Sequence, residues 1–285
     1  IEYLEFNEYK FIKDLSFTKD NSQSIILLFN YKGNNVLRGY QDGIMFPRIN
    51  YFNIENLHTK KKEKKIQDVL NYILNIFEEY NIVDTKIYDN PYLCKTIGYS
   101  VFNLIDLKNF SLKSRLDMYF ESTDNDNIEG QMEPGGSRTI INGYNKNKPD
   151  FKVYFGEIHD TIFDLFVNKH QELSGKKTKP DECWNLIKKM IQDKKALLLV
   201  CDNSYILYFL SDSYCYYAIN ACTKRDKIVT FLLYEGIKWL ISNNCKFIHF
   251  GPFYKYFEDE KNINICKFKK SFCNKMYTQY YVEKN

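Results

Sequence analysis

Apolar and polar positions along this 285-residue chain follow nearly the same order twice. An apolar run at 24–29 (Ser-Ile-Ile-Leu-Leu-Phe) meets a Lys-Gly-Asn-Asn turn at 32–35. A second run follows at 36–40 (Val-Leu-Arg-Gly-Tyr), then an Asp-Gly turn at 42–43 and a third run at 44–47 (Ile-Met-Phe-Pro). After a basic stretch at 60–65, apolar residues recur at helical spacing from Ile66 to Tyr80, and a strand ends at Asn90-Pro91-Tyr92. The second copy opens with Ala-Leu-Leu-Leu-Val at 196–200, an Asp-Asn turn at 202–203, apolar residues at 205–210 and a Ser-Asp-Ser turn at 211–213. Tyr-Cys-Tyr-Tyr-Ala-Ile at 214–219, a basic cluster at 224–227, a helix over 228–242 and a strand ending Gly251-Pro252-Phe253 complete it. With Pro91 set on Pro252 the two helices coincide, which predicts a duplicated module of β-meander, helix and strand. Ile66, Val69, Leu70, Ile73 and Phe77 are then the buried counterparts of Ile228, Leu232, Ile237 and Leu240.

Between the copies, residues 121–150 are poor in large apolar side chains and rich in Gly and Pro, which places a boundary there. The expected modules are residues 1–130 and 131–285. Within the linker, residues 138–144 read as a short helix with Ser137 as its N-cap. Residues 151–155 alternate as a half-buried strand. Asp160 is placed to cap a helix with the stripe Ile162, Phe163, Phe166 and Leu173. Thr178-Lys-Pro-Asp181 resembles a capping box opening a helix that buries Trp184, Ile187, Met190 and Ile191. Residues 267–272 read as extended and residues 276–282 as a closing strand. The whole is an α+β chain, each module a sheet with helices on its faces.

Composition changes this picture little. With 24 tyrosines and 22 phenylalanines, apolar surface to bury is plentiful, and a net charge of +4 permits acidic partners without demanding them. No run reaches the roughly 20 apolar residues of a membrane helix, and no signal peptide is visible, so a cytoplasmic protein without a transmembrane segment is expected. Eight cysteines occur, seven after residue 182 and none in a Cys-x-x-Cys pair. Reduced, buried thiols are expected, with no metal site.

A series of short motifs in residues 138–272 resembles the FemAB-like acyltransferases of the GNAT superfamily, which carry two GNAT folds in one chain. Ser137-Arg138-x-Ile140 is similar to the basic helix that opens the second module. Lys169-His170-Gln171 stands at the end of a helix that carries a His in the family, and Trp184 stands at an aromatic position. Residues 216–220 (Tyr-Tyr-Ala-Ile-Asn) resemble the Tyr-rich fourth strand. Ile248-His-Phe-Gly251 resembles a Phe-Asp-Leu-Gly strand end, and Phe268-Lys269-Lys-Ser-Phe272 a Phe-Lys-x-Gly-Phe motif. His249 and Ser271 depart from the Asp and Gly of that pattern.

The resemblance implies amide-forming acyl transfer and two GNAT-like modules in tandem, with the active site in the second. Such chemistry needs a deprotonated amine, a stabilised oxyanion and a protonated leaving group. Lys269 is the candidate for the oxyanion, its extended neighbour Phe268 pointing into the core and fixing it. Tyr217 is the candidate proton donor, and His249, ahead of His170, the candidate base. Asn220, His170, Trp184, Phe268 and Arg138 are assigned to substrate binding. Lys224, Arg225 and Lys227 are assigned to the donor's phosphates. The 221–227 loop lacks glycine, so a backbone cradle for the CoA pyrophosphate is not provided, which weakens acyl-CoA as donor. No tightly bound cofactor is expected; acyl-CoA or aminoacyl-tRNA enters as co-substrate, and residues 60–65 offer a basic patch to tRNA. The acceptor is a nucleotide-linked sugar, a cell-envelope precursor or another amine. A plain acetyl-CoA-dependent N-acetyltransferase of an amino sugar or small amine is the alternative, as is an inert tandem module that binds RNA or protein.

Overall fold

The computed structural model describes residues 9–19, 22–24, 26–38, 49–51, 58–82, 86–88, 110–122, 127–211, 213–222, 227–253 and 260–284. The chain divides into two compact units, Ile1–Arg115 with Thr278–Asn285, and Leu116–Tyr277. In chain order come β1 (Tyr9–Asp14), β2 (Phe17–Lys19), β3 (Ser22–Ser24), β4 (Leu27–Tyr31), β5 (Asn34–Arg38), β6 (Ile49–Tyr51), α1 (Thr59–Glu79), β7 (Lys86–Tyr88) and β8 (Phe110–Glu121). Then follow α2 (Ile128–Gln131), α3 (Gly136–Lys146), β9 (Lys152–Tyr154), α4 (Asp160–Ser174), α5 (Asp181–Gln192), β10 (Ala196–Cys201), β11 (Ser204–Ser211) and β12 (Tyr214–Ala221). The chain closes with α6 (Ile228–Ser242), β13 (Phe247–Phe253), α7 (Glu260–Lys270) and β14 (Lys275–Lys284).

In the first unit β1, β4 and β5 form an antiparallel sheet, and α1 buries one face in the core beside it. Ile66, Val69, Leu70, Ile73, Ile76 and Phe77 recur every three or four residues, which puts them on one stripe against Leu15, Ile26, Leu28 and Leu37. The first-copy stripe read from the sequence is therefore buried throughout. Its meander is not continuous, however. The β4–β5 hairpin is present, but β6 pairs with β3 rather than with β5. The predicted runs at 39–47 and 90–92 lie outside the described residues.

In the second unit the strand order is β8-β13-β12-β11-β10-β9, with β12 and β13 parallel and the other neighbours antiparallel. Here the meander β10–β11–β12 followed by α6 and β13 appears as the apolar pattern implied. Leu232, Ile237 and Leu240 are buried in α6, and Ile228 at its start is half-buried. One sheet face, with Met118, Phe120, Leu197, Ile206, Tyr208, Cys215, Tyr217, Ile248 and Phe250, packs with α6 in one core. The other, with Leu198, Tyr205, Leu207 and Ile219, packs with Phe166, Trp184 and Ile187 of α4 and α5. β11 and β12 slip register between Leu207 and Tyr208, which turns Tyr217 and Ile219 to opposite faces although they are two residues apart.

Local expectations are corrected at four places. α3 starts at Gly136 with Gly135 as its cap, and the Ser137 hydroxyl instead meets the Ser271 hydroxyl at 2.6 Å. Asp160 is the first residue of α4, after His159, and its carboxylate pairs with Lys188 at 2.7 Å rather than capping. Pro180 precedes α5 with no side-chain cap, because Thr178 turns to His170. Residues 267–270 are not extended; they end helix α7. Phe268 and Phe272 lie one helical turn apart and meet edge-on at 5.4 Å, a spacing that serves a helix as well as an alternating strand.

Candidate active site

β12 and β13 are paired over only three positions, Tyr214 with Phe247, Cys215 with Ile248 and Tyr216 with His249. Beyond them β12 pairs only with β11, and β13 only with β8. Each strand carries a register shift close to this point, on its outer neighbour's side. Gly251, with φ of 90°, takes a backbone conformation that favours glycine. Bulges increase local twist and re-aim the chain, so the two strands part and leave backbone groups between them.

Lys269 occupies that point. Its Nζ donates to the carbonyl oxygen of Phe250 at 2.8 Å, the first carbonyl past the last parallel pair. The same nitrogen lies 5.3 Å from the centroid of the Tyr217 ring. Burial holds the ammonium below its ordinary pKa, opposed by the nearby thiols of Cys266 and Cys273. Tyr217 is buried beneath it. Burial, and then the Cys222 thiol, push the Tyr217 hydroxyl far up, while a hydrogen bond with the Asn220 side chain works the other way. Phe268 packs at the margin of the same core. Ser271 is accounted for as well: its hydroxyl donates to the Phe268 carbonyl at 2.7 Å and joins the end of α7 to Ser137.

Lys269, Tyr217, Asn220 and Phe268 are therefore brought together, and His249 lies close by on the other face of β13. His249 is 1% exposed, stacked on Tyr119 at 4.6 Å, with Nε2 3.2 Å from Asp117 Oδ2. Its ring is 5.5 Å from that of Tyr216. A Cβ at Gly251 would stand 3.8 Å from Lys269 Nζ and 4.0 Å from the Tyr216 hydroxyl, so the glycine leaves the space between them open. Tyr216, Gly251 and Asp117 were missed by the sequence reading. The Gly-Pro at a strand end is the one local signal that marked the place.

The remaining candidates sit elsewhere. Arg138 donates to the carbonyls of Gly130 and Met132 and thereby holds the segment before α3. His170 and Trp184 meet edge-on at 5.2 Å, and Trp184 belongs to the core on the α4–α5 side of the sheet. Lys227 is exposed at the start of α6 and, with Thr139, Ile140, Gly143, Tyr144 and Asn147, lines a groove of about 350 Å³. Lys224 and Arg225 lie outside the described residues, and the 60–65 run forms the first turns of α1. Among the described residues no cluster of side chains could hold a metal ion, and no helix is long and apolar enough to cross a membrane.

This architecture is an α+β fold in two compact units. Among solved structures it is similar to FemX, with a TM-score of 0.65 and 12% identity over 98% of this chain and 89% of that one. It is also similar to L-PGS from Bacillus licheniformis, with a TM-score of 0.59 and 10% identity over 99% of this chain and 86% of that one. A third likeness is to the C-terminal domain of a putative lysylphosphatidylglycerol synthetase from Agrobacterium fabrum (TM-score 0.56, 10% identity, 100% of this chain and 86% of that one). No protein-family model matches the chain, and no curated protein does. At these identities the likeness concerns the fold.

Proposed function

We propose that the protein is an acyl or aminoacyl transferase that forms an amide, with its reaction centre where β12 and β13 part. The observation that carries this reading is Lys269, a half-buried cation held on the Phe250 carbonyl in the gap between two parallel strands. In the reaction an acceptor amine attacks the acyl carbon. The new C–N bond forms as the donor's C–O bond, or C–S bond for a thioester, breaks, and the amine's proton ends on the leaving oxygen or sulfur. Charge collects on the carbonyl oxygen on the way. Lys269 keeps two N–H groups beyond the one on Phe250, and in a water-poor site a fixed donor stabilises that charge far more than solvent does. Tyr217 positions Lys269 through its ring, and burial keeps its hydroxyl protonated. His249, enclosed by Tyr119 and Asp117, exchanges protons with a substrate only through a neighbour such as Tyr216.

Aminoacyl-tRNA is the favoured donor. The 221–227 loop has no glycine for a pyrophosphate cradle, whereas Lys227 and the lysines at 60–65 offer cations to a polyanion. The acceptor proposed is an amine on a nucleotide-linked sugar or a cell-envelope precursor; the likeness to a lysylphosphatidylglycerol synthetase domain, named for a lysyl group joined to a lipid, supports an aminoacyl setting. The test is competition binding of acetyl-CoA and aminoacyl-tRNA over a salt series, followed by mass detection of amide products. Salt-sensitive tRNA binding with aminoacyl transfer supports the proposal. Tight, salt-resistant CoA binding with acetyl transfer would instead assign an N-acetyltransferase, and absence of transfer from either donor would leave a binding module.

A further inference from the structure

Away from the parting strands, the connection between α4 and α5 gathers hydrogen-bond donors around one indole ring. His170, half-buried near the end of α4, meets Trp184 edge-on at 5.2 Å, and its Nδ1 lies 3.3 Å from the Thr178 hydroxyl. Lys179 places its ammonium 5.6 Å from the centroid of the same indole. Trp184 itself is 2% exposed, and its Nε1 is buried without a hydrogen-bond partner.

What the cluster lacks is an acceptor. Among the described residues no carboxylate pairs with Lys179 or His170. The acidic groups nearby are engaged by other lysines: Glu172 by Lys169 at 3.1 Å, Asp181 by Lys177 at 2.8 Å and Asp160 by Lys188 at 2.7 Å. Glu182 is exposed on the first turn of α5. Two groups that carry positive charge when protonated thus sit together, partly desolvated, against the Trp184 ring. Burial holds both below their ordinary pKa, and Lys179 further lowers His170. The arrangement costs least when a negative charge completes it. α5 also begins here with no side-chain cap, so its first N–H groups add positive potential.

We propose that the α4–α5 connection binds a small oxyanion group, a carboxylate or a phosphate, through His170, Thr178 and Lys179 packed on Trp184. The Trp184 side of the sheet carries this site, and the Lys269–Tyr217 face carries the other, so ligation here is independent of the transfer chemistry above.

The experiment follows the imidazole Cε1–H signal of His170 by NMR, assigned by its loss in His170→Gln. The pH titration is repeated in potassium phosphate, in acetate, and in chloride at equal ionic strength. A bound anion prefers the imidazolium, so the pKa should rise saturably by about one unit, an affinity ratio of about tenfold between the two ring states. The anion that saturates first identifies the ligand as phosphate-like or carboxylate-like. Lys179→Met and Thr178→Val, each checked for unaltered thermal unfolding, should abolish or weaken the shift; Thr178 is exposed, so at least that variant keeps the fold. Trp239→Phe leaves Trp184 as the single tryptophan, whose emission should change with the same midpoint. The proposal is overturned if neither anion moves His170 beyond the chloride control, or if both variants respond as the unmodified protein does.

Discussion

The ammonium of Lys269 in α7 is hydrogen-bonded to the backbone carbonyl of Phe250 in β13 at 2.8 Å. In most sheets the carbonyl just beyond a parallel ladder would find a backbone N–H or water. Here a charged side chain takes that place, tying α7 to the strand end and leaving further N–H groups for a ligand. The contact explains why a lysine is tolerated in a largely apolar setting beside Tyr217, Phe268 and Phe272.

Lys269→Met retains the stem and removes the charge. In the amide-forming assay it should keep the fold and lower kcat by about 10²–10³, the loss typical of one oxyanion donor. Lys269→Arg restores charge on a longer planar head and should recover only part of the rate. Turnover unchanged in the Met variant would return Lys269 to a packing role.

The same lysine has a pH signature. Its folded-state pKa lies below the unfolded 10.5, so between those values the unfolded chain binds more protons and stability rises with pH. Cys215 and Cys273, raised above 9.0, and Tyr208, Tyr217 and Tyr277, raised above 10.0, act oppositely only above those values. Thermal unfolding followed from neutral pH to just below pH 9 should show a positive slope of Tm that Lys269→Met flattens.

Gly236 in α6 faces the Tyr208 ring so closely that an added Cβ would meet its hydroxyl at 2.7 Å and its ring carbons at 2.8 and 3.0 Å. Alanine is the better helix former, yet Gly236→Ala should destabilise by about 1–3 kcal/mol through overpacking. Tyr208→Phe should not rescue it, because the ring carbons remain; Tyr208→Leu should. Denaturant midpoints of the singles and doubles measure the coupling.

His249→Leu removes the ring neighbour of the Asp117 carboxylate, which is itself fully buried. A loss of about 1–3 kcal/mol is expected, as when one partner of a buried polar contact is removed. His249→Leu combined with Asp117→Leu should recover part of it. Additive losses in urea unfolding would show that the two side chains are not energetically coupled.

The helices were legible where a local period coincided with burial. Six apolar residues of α1 and the stripe of α6 announce themselves because a helix exposes every residue's direction through its own spacing. The β10–β11–β12 meander was legible for the same reason, as apolar runs separated by turn residues. α7 was misread because Phe268 and Phe272, four apart, satisfy both periods, and nothing local says which face the core lies on. The Thr178 hydroxyl, expected to cap α5, turns instead to His170, a partner eight residues back that only the α4–α5 packing brings near.

The candidate site divides along the same line. The amino-acid sequence by itself determined which segments bury and the α+β order, since these rest on composition and periodicity within short windows; Lys269 was marked by the resemblance of residues 268–272 to a family motif. The tertiary structure alone decided that Ser137 meets Ser271 across 134 residues, that His249 faces Asp117, and that Tyr217 lies under Lys269 while Tyr216 faces the other way. Those outcomes hang on strand register, and a single bulge reverses the face of every residue beyond it, a geometric choice made by packing against neighbours distant in the chain.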